Sequence, residues 1–218
     1  MANKSLFRSI AGRLLPGTNT QNRAGGTAYE LSPRQALAQY AATGCLNGTF
    51  YATANDQLSH VLSLCEKVDA EYIARLAVYS REHGHMKDVP AVLCAVLSTR
   101  SNDLLARIFG RVIDNGKMLR TFVQIMRSGV TGRKSLGSAP KRLVREWLDN
   151  ASDEVVFRNS IGSDPSLADV IRMVHPRPSS PSRSALYAYL IGRTHELSAL
   201  PPCVQEYEVF KRCLTKES

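Results

Sequence analysis

Apolar residues recur every three or four positions along most of this chain, which is the spacing of one helix face. The clearest stretch runs from 117 to 127, where Leu119, Phe122, Val123 and Met126 fall on one side. Comparable patterns predict further helices near residues 33–43, 55–67, 70–83, 89–97, 102–115, 138–148, 152–160, 166–174, 183–192 and 203–214. No alternating run of apolar and polar residues predicts a strand. The pattern therefore predicts an all-α protein.

The lengths of these segments indicate how the helices are arranged. Consecutive helices joined by short connections are typical of antiparallel helix pairs, bundles and α-solenoids. The sequence has no strict internal period, so a solenoid would have to be a degenerate, HEAT-like one. Residues 17–30 are rich in Gly, Asn and Thr, and we expect residues 1–30 to form an N-terminal arm ahead of the helical region at 31–218.

Composition and cysteine content narrow the class of protein. Of the 218 residues, 44% are hydrophobic, which excludes a disordered tail. No apolar run approaches the roughly 18 residues of a membrane span, and the N-terminal apolar stretch is too broken for a secretory signal. The five cysteines form no CxxC motif, and Cys65 and Cys94 fall on apolar helix faces, as core residues do. We therefore expect a cytoplasmic protein with no membrane partner.

Positive charge is concentrated in one part of the chain. The protein has 28 Lys and Arg against 19 Asp and Glu, a net charge of +9. Nine of these cations and a single acid, Asp114, lie between Arg111 and Arg145. We call residues 111–145 the basic segment. Such a concentration of charge favours a polyanionic partner, and nucleic acid above all.

The basic segment divides into three parts. On the helix predicted at 117–127, polar residues lie opposite the apolar face: Lys117, Arg120, Gln124 and Arg127. The loop SGVTGRKSLGS follows, and its glycines, hydroxyls and cations can approach phosphate, chiefly through Arg133, Lys134 and Ser135. The next predicted helix has cations near its N-terminus, where the helix dipole also favours anions: Lys141, Arg142 and Arg145. The alternative is a solvated basic face with no partner.

The sequence contains no recognisable catalytic motif. GVTGRKS lacks the GxxxxGK[ST] spacing of a P-loop, and His195-Glu196 lacks the second histidine of HExxH. No serine, cysteine or carboxylate lies in a recognisable nucleophile setting. We therefore expect no enzymatic activity, no cofactor and no metal site.

Three stretches of the chain are distinctive: AGGTAYELSPRQALAQYAATGCLNGTFYA, RVIDNGKMLRTFVQIMRSGVTGRKSLGSAPKRLVREWL and IGSDPSLADVIRMVHPRP. They resemble the N-terminal part of the TROVE domain of the Ro ribonucleoprotein autoantigens, and in particular the bacterial members. The similarity covers roughly residues 22–214. The third stretch contains a second polar cluster, Arg172, His175 and Arg177, which by itself is typical of favourable cations at a helix C-terminus.

The resemblance implies a fold and a function. The fold would be a curved, HEAT-like array of helices, an α-solenoid that forms part of a ring. The function would be binding of Y-like small noncoding RNA and of the single-stranded 3′ ends of misfolded RNA, in RNA quality control or ribonucleoprotein assembly. The resemblance assigns RNA contacts to Arg172, His175 and Arg177. Within the basic segment it assigns them to Arg127, Arg133, Lys134, Lys141, Arg142 and Arg145. It also implies an exoribonuclease partner such as polynucleotide phosphorylase.

The chain departs from the family in two respects. Leu167 stands where animal members have a histidine tied to Y RNA binding, so RNA contact at this position must use other groups or be weaker. The von Willebrand A-type domain of the family, with its metal site, has no counterpart, because neither a βαβ pattern nor a DxSxS motif is present. Residues 31–218 are therefore expected to be a partial TROVE domain. A different interpretation is a helical protein-interaction scaffold whose basic face docks an acidic partner.

Overall fold

The computed structural model describes residues 31–46, 51, 54–129, 131–132, 135–161 and 166–207. The predicted arm at 1–30 lies outside these residues. Within them the prediction of an all-α fold is confirmed: the regular elements are α-helices and one 3-10 turn at Leu197–Ala199, and no residue is in a strand. Residues 202–207 are also helical, and the rest of the helix predicted at 203–214 is not described.

The helix bounds agree with the sequence pattern to within a few residues. In chain order the helices are α1 (Pro33–Thr43), α2 (Ala54–Glu66), α3 (Ala70–His83), α4 (Val89–Arg100), α5 (Asn102–Val112), α6 (Gly116–Ser128), α7 (Ser138–Asn150), α8 (Asp153–Ser160), α9 (Leu167–Val174) and α10 (Pro181–Leu190).

Local start signals explain why several helices begin where they do. Ser32 caps α1 in a capping box: its hydroxyl accepts from the Gln35 N–H, and its own N–H donates to the Gln35 side chain at 3.0 Å. The carboxylate of Asp69 caps α3 by accepting the Tyr72 N–H at 2.7 Å. That hydrogen bond holds the pKa of Asp69 below its usual value.

The described residues fall into two compact units. The first unit comprises the chain up to Ile113 together with Gln124–Ser135, and the second comprises Asp114–Val123 and the chain from Leu136 onward. The helix α6 contributes its first part to the second unit and its last part to the first. The first unit therefore contains α1 to α5, and the second contains α7 to α10.

The first unit is built around α4. Every residue of this helix from Val89 to Ser98 is buried, as expected for a helix that is apolar on all sides. Helix α4 packs against α3 and α5, which also contact each other, and α1 packs against α2, α3 and α4. Packing of each helix on its near neighbours in sequence is the arrangement of a helical repeat array. The curvature and the ring implied by the resemblance remain predictions.

The two cysteines expected in the core of the first unit are both buried. Burial raises the pKa of the Cys65 thiol to about 12, so this thiol stays uncharged at neutral pH. Cys94 lies within α4 and has no exposed surface. These side chains act as small apolar residues, as the sequence predicted.

The second unit combines an apolar core with one buried cation. Helix α8 contacts α9 and α10, and α9 also contacts α7 and α10. Leu148, Phe157 and Leu186 have no exposed surface, and Val170 is 1% exposed. Arg183, in the first turn of α10, lies in the same interior with a side chain that is only 7% exposed.

Three helix ends meet at the guanidinium of Arg183. Its Nε donates to a carboxylate oxygen of Asp153, at the start of α8, over 2.6 Å. Its two terminal nitrogens donate to the carbonyls of Leu148 and Ala151, at the end of α7. These last-turn carbonyls have no partner within their own helix, so the guanidinium supplies one. The sequence offered no signal for this role, because Arg183 belongs to no motif.

The Arg183 contacts predict a strong structural effect. We expect Arg183→Met to lower the free energy of unfolding by about 3 kcal/mol, because the part-buried Asp153 carboxylate and the Ala151 carbonyl would lose their charged donor. The Leu148 carbonyl would keep only the longer contact with the Tyr187 hydroxyl, at 3.5 Å. Urea denaturation followed by circular dichroism measures this change. The matched control is Arg107→Met, whose ion pair with Glu71 is exposed on both sides and whose loss should cost less than about 1 kcal/mol. An equal loss of unfolding free energy in the two variants would contradict the structural role of Arg183.

Position 84, at the end of α3, requires glycine because the backbone of α1 approaches it closely. Its φ is −75°, so backbone conformation alone does not demand glycine. A Cβ at this position would lie 2.8 Å from the carbonyl oxygen of Ala41 in α1, and it would also clash with the carbonyl of Ser80. The absence of a side chain therefore lets the end of α3 pack directly on α1.

The two glycines Gly84 and Gly110 should respond oppositely to substitution. Gly84→Ala should destabilise the protein by about 2 kcal/mol, because backbone atoms would have to move apart. Gly110 lies within α5, and a Cβ there would meet nothing within 4 Å. Gly110→Ala should therefore stabilise the protein by about 0.5–1 kcal/mol through helix propensity. Thermal unfolding of both variants measures the difference, and a stable Gly84→Ala protein would refute the packing argument.

Candidate nucleic-acid interface

The first part of the basic segment lies on α6. The apolar face is confirmed, since Leu119, Phe122, Val123 and Met126 are fully buried. On the opposite side Arg127 is exposed, whereas Lys117, Arg120 and Gln124 are half-buried. Lys117 is in the first turn of the helix, which begins where the Asn115 side chain accepts the Met118 N–H at 3.0 Å. A cation there is unfavourable toward the helix dipole, so helix stability does not account for it.

The loop that follows is described in part. Gly129 and Gly132 have φ values of 74° and 76°, and the Gly132 N–H donates to the Gly129 carbonyl at 2.9 Å, closing a turn. Ser135 is exposed. The predicted contacts at Arg133 and Lys134 lie outside the described residues. Arg127 and Ser135 belong to the first unit, whereas Lys117 and Arg120 belong to the second.

The third part of the basic segment is the start of α7, in the second unit. Gly137 precedes the helix and supplies no side-chain cap, so the first-turn N–H groups of α7 receive no side-chain acceptor from it. Lys141 is half-buried and Arg142 is exposed. The apolar spacing of this helix predicts one inner face made of Leu143, Val144, Trp147 and Leu148. Leu143, Val144 and Leu148 are buried as predicted, but Trp147 is half-buried.

Arg145 has a contact that the sequence did not predict. Its Nε and one terminal nitrogen both donate to the carbonyl of Val174, at 3.1 and 2.9 Å. Val174 is the last residue of α9, so Arg145 supplies a partner for a carbonyl at a helix end. The contact joins the basic helix α7 to the second polar cluster, because His175 follows Val174 directly.

The second polar cluster is exposed. Arg172 pairs with Asp169 at 2.9 Å, three residues earlier in α9. His175 ends α9 in the left-handed conformation, with φ 42°, and Arg177 follows two residues later. Leu167 is fully buried at the first position of α9, so its side chain is not accessible to a ligand.

Ion pairs reduce the charge available from the basic segment. Only one acid, Asp114, lies within the basic segment, but two of the nine cations there pair with acids outside it. Arg111 pairs with Glu82, and Arg142 pairs with Glu146 at 3.5 Å. Among the described residues, no acid lies within ion-pair distance of Lys141, His175 or Arg177. The available positive charge is therefore smaller than the net +8 of the sequence.

The described part of the chain contains neither a cluster of metal-ligating side chains nor a membrane-spanning helix. No group of three or more His, Cys, Asp or Glu side chains there is arranged to hold a metal ion. None of the helices in this part of the chain has the length and apolarity needed to cross a bilayer.

Comparisons with models of protein families, with curated proteins and with solved structures found no match for this chain. The TROVE resemblance therefore remains a prediction from the residues themselves.

Arg145 and Arg142 should contribute differently to the stability of the protein, because only Arg145 contacts a backbone carbonyl. We expect Arg145→Met to lower the free energy of unfolding by about 1–2 kcal/mol, because the Val174 carbonyl loses a charged donor. Arg142→Met removes only an exposed ion pair and should change stability by less than about 0.5 kcal/mol. Chemical denaturation of the two variants tests this distinction. A larger loss of stability for Arg142→Met than for Arg145→Met would contradict the structural role of Arg145.

Proposed function

We propose that this protein binds RNA and does not act on it as an enzyme. The supporting observation is the bidentate contact of Arg145 with the Val174 carbonyl. Through this contact the middle of α7, one turn beyond Lys141 and Arg142, adjoins the cluster at the end of α9 in one compact unit. Two parts of the chain to which the resemblance assigns RNA contacts are thus neighbours.

Phosphate is the group that this surface fits best. Lys141, His175 and Arg177 have no acidic partner among the described residues, and the first turn of α7 has no side-chain cap. Cations and backbone N–H groups at a helix N-terminus are donors that bind phosphate oxygens, and the first turn of α7 supplies those of Ser138 and Ala139, since Pro140 has none. Aromatic residues are few, 15 in the whole chain, so most of the binding energy would come from phosphate and would depend strongly on salt.

The choice of RNA comes from the TROVE resemblance. We propose Y-like small noncoding RNA and single-stranded ends of misfolded RNA as the ligands, in RNA quality control or ribonucleoprotein assembly. A cytoplasmic location and an exoribonuclease partner such as polynucleotide phosphorylase are proposed on the same ground. Because Leu167 is buried, RNA contact at the second cluster would use His175, Arg177 and the outer nitrogen of Arg145.

A second candidate function is a scaffold whose basic face docks an acidic protein. The observation in its favour is that Arg142 and Arg172 already bind carboxylates, those of Glu146 and Asp169. These pairs lie on the surface and are exposed on both sides. The two functions predict different binding of the protein to RNA and to an unrelated polyanion.

Lys141→Ala/Arg142→Ala should weaken binding to a structured RNA several-fold. Each lost phosphate contact lowers the slope of log affinity against log salt by about 0.9, so the slope should fall by about 2. Fluorescence anisotropy at several salt concentrations gives both values. A matched control is Lys67→Ala/Arg75→Ala, which removes two exposed cations outside the basic segment and should leave the slope nearly unchanged.

Two results would contradict the proposal. If both double variants behave alike, the mapped surface is wrong. If heparin and RNA bind equally well and with the same sensitivity to Lys141→Ala/Arg142→Ala, the surface is a general polyanion site and the scaffold becomes the better account.

A further inference from the structure

The second unit contains a cleft between the end of α9 and the helix α10. Its volume is about 350 Å³, which is in the range of small-ligand sites. Ile171, Tyr187 and Ile191 line its apolar part. A phenol is uncharged at neutral pH, and burial raises the pKa of Tyr187 further, so this part of the cleft carries no charge. The polar groups of the lining are those of His175, Ser184 and Arg193, all of them exposed residues.

Backbone caps at two helix ends hold the polar groups in place. His175 ends α9 in the left-handed conformation, and its N–H donates to the Ile171 carbonyl at 2.9 Å. A residue other than glycine with positive φ is uncommon, although histidine tolerates this conformation better than most. Gly192, with φ 75°, ends α10, and the next N–H, that of Arg193, donates to the Ala188 carbonyl at 2.7 Å. This is the Schellman arrangement, and it brings Arg193 to the cleft.

The lining has the chemistry of a nucleotide site. It contains an imidazole, which can stack on a base, and a guanidinium, which can bind phosphate or stack. It also contains a hydroxyl, an apolar wall and no acidic residue. An acidic peptide would satisfy the guanidinium but would leave the apolar wall and the imidazole face without a planar partner. The cleft also adjoins the surface already assigned to phosphate, because His175 follows the carbonyl that Arg145 binds.

We propose that this cleft receives one unpaired nucleotide of the bound RNA, with its base against the apolar wall and His175 and its phosphate at Arg193. The inference rests on the proposed RNA-binding function and assigns a binding site to an unpaired nucleotide of that RNA. A base within a duplex is stacked on both faces and paired at its edge, so it would have to leave the helix to enter the cleft. Only an unpaired nucleotide enters without that cost, so the cleft should distinguish flexible RNA from fully paired RNA.

The test compares two RNAs that differ in one feature. The first is a blunt hairpin, and the second is the same hairpin with a four-nucleotide single-stranded extension. We expect the wild-type chain to bind the extended hairpin at least about five-fold more tightly, as the loss of one stacked base commonly changes affinity. Ser184→Trp places a ring at the mouth of the cleft and should abolish the preference without weakening binding of the blunt hairpin.

The matched control is Ser182→Trp, an exposed position on the same helix that does not line the cleft. It should keep the preference. Arg193→Ala should lower it, and thermal unfolding confirms that each variant is folded. As an independent readout, 4-thiouridine in the extension should crosslink to a peptide within residues 171–193 of the wild type and not of Ser184→Trp.

The outcomes separate the two proposals. If the wild type binds neither hairpin, the proposed function fails, and the cleft inference fails with it. If both hairpins bind equally, or if Ser184→Trp keeps the preference, the cleft inference is overturned while RNA binding stands. If polyglutamate binds in a way that Ser184→Trp abolishes and the extension has no effect, the cleft belongs to a protein partner and the inference is likewise overturned.

Discussion

The buried guanidinium of Arg183 is the interaction on which the second unit depends. Helices of 8 to 13 residues, as found there, are marginal in water, so their positions come from packing and from contacts between their ends. Arg183 joins the end of α7, the start of α8 and the start of α10 through Asp153 and the last-turn carbonyls of α7. Both features proposed to meet RNA, the basic start of α7 and the cleft beside α10, lie on helices that this contact holds.

The arginines of the second unit have different structural roles. Arg183 is buried and structural. Arg145 is exposed, but two of its nitrogens are occupied by the Val174 carbonyl. Arg142 and Arg172 form surface ion pairs, which contribute little to stability and can exchange a carboxylate for a phosphate. A count of charges along the chain treats all of them alike, and therefore overestimates the cations available to a ligand.

Much of the fold could be predicted from the sequence because the signals are local. The capping box at Ser32, the apolar periodicity of α6 and the continuous apolar run at 89–97 in α4 each involve residues within a few positions of one another. The cleft could not be predicted, because residues 171 and 191 are near neighbours only once α9 and α10 have packed. The apolar spacing of α7 likewise places Trp147 on the inner face of the helix, yet this side chain is half-buried, because periodicity shows which face is apolar and only packing shows how completely a neighbour covers it.

The sequence by itself determined the all-α class, the approximate helix bounds and the location of the basic residues, because these depend on spacing and composition. Tertiary structure alone decided which cations are structural, that the end of α9 adjoins α7, and that a cleft opens beside His175. These properties arise from contacts between residues 29 to 35 positions apart, such as Arg145 with Val174 and Arg183 with Leu148. No local pattern encodes a contact of that kind, because the carbonyl that accepts it is present in every residue.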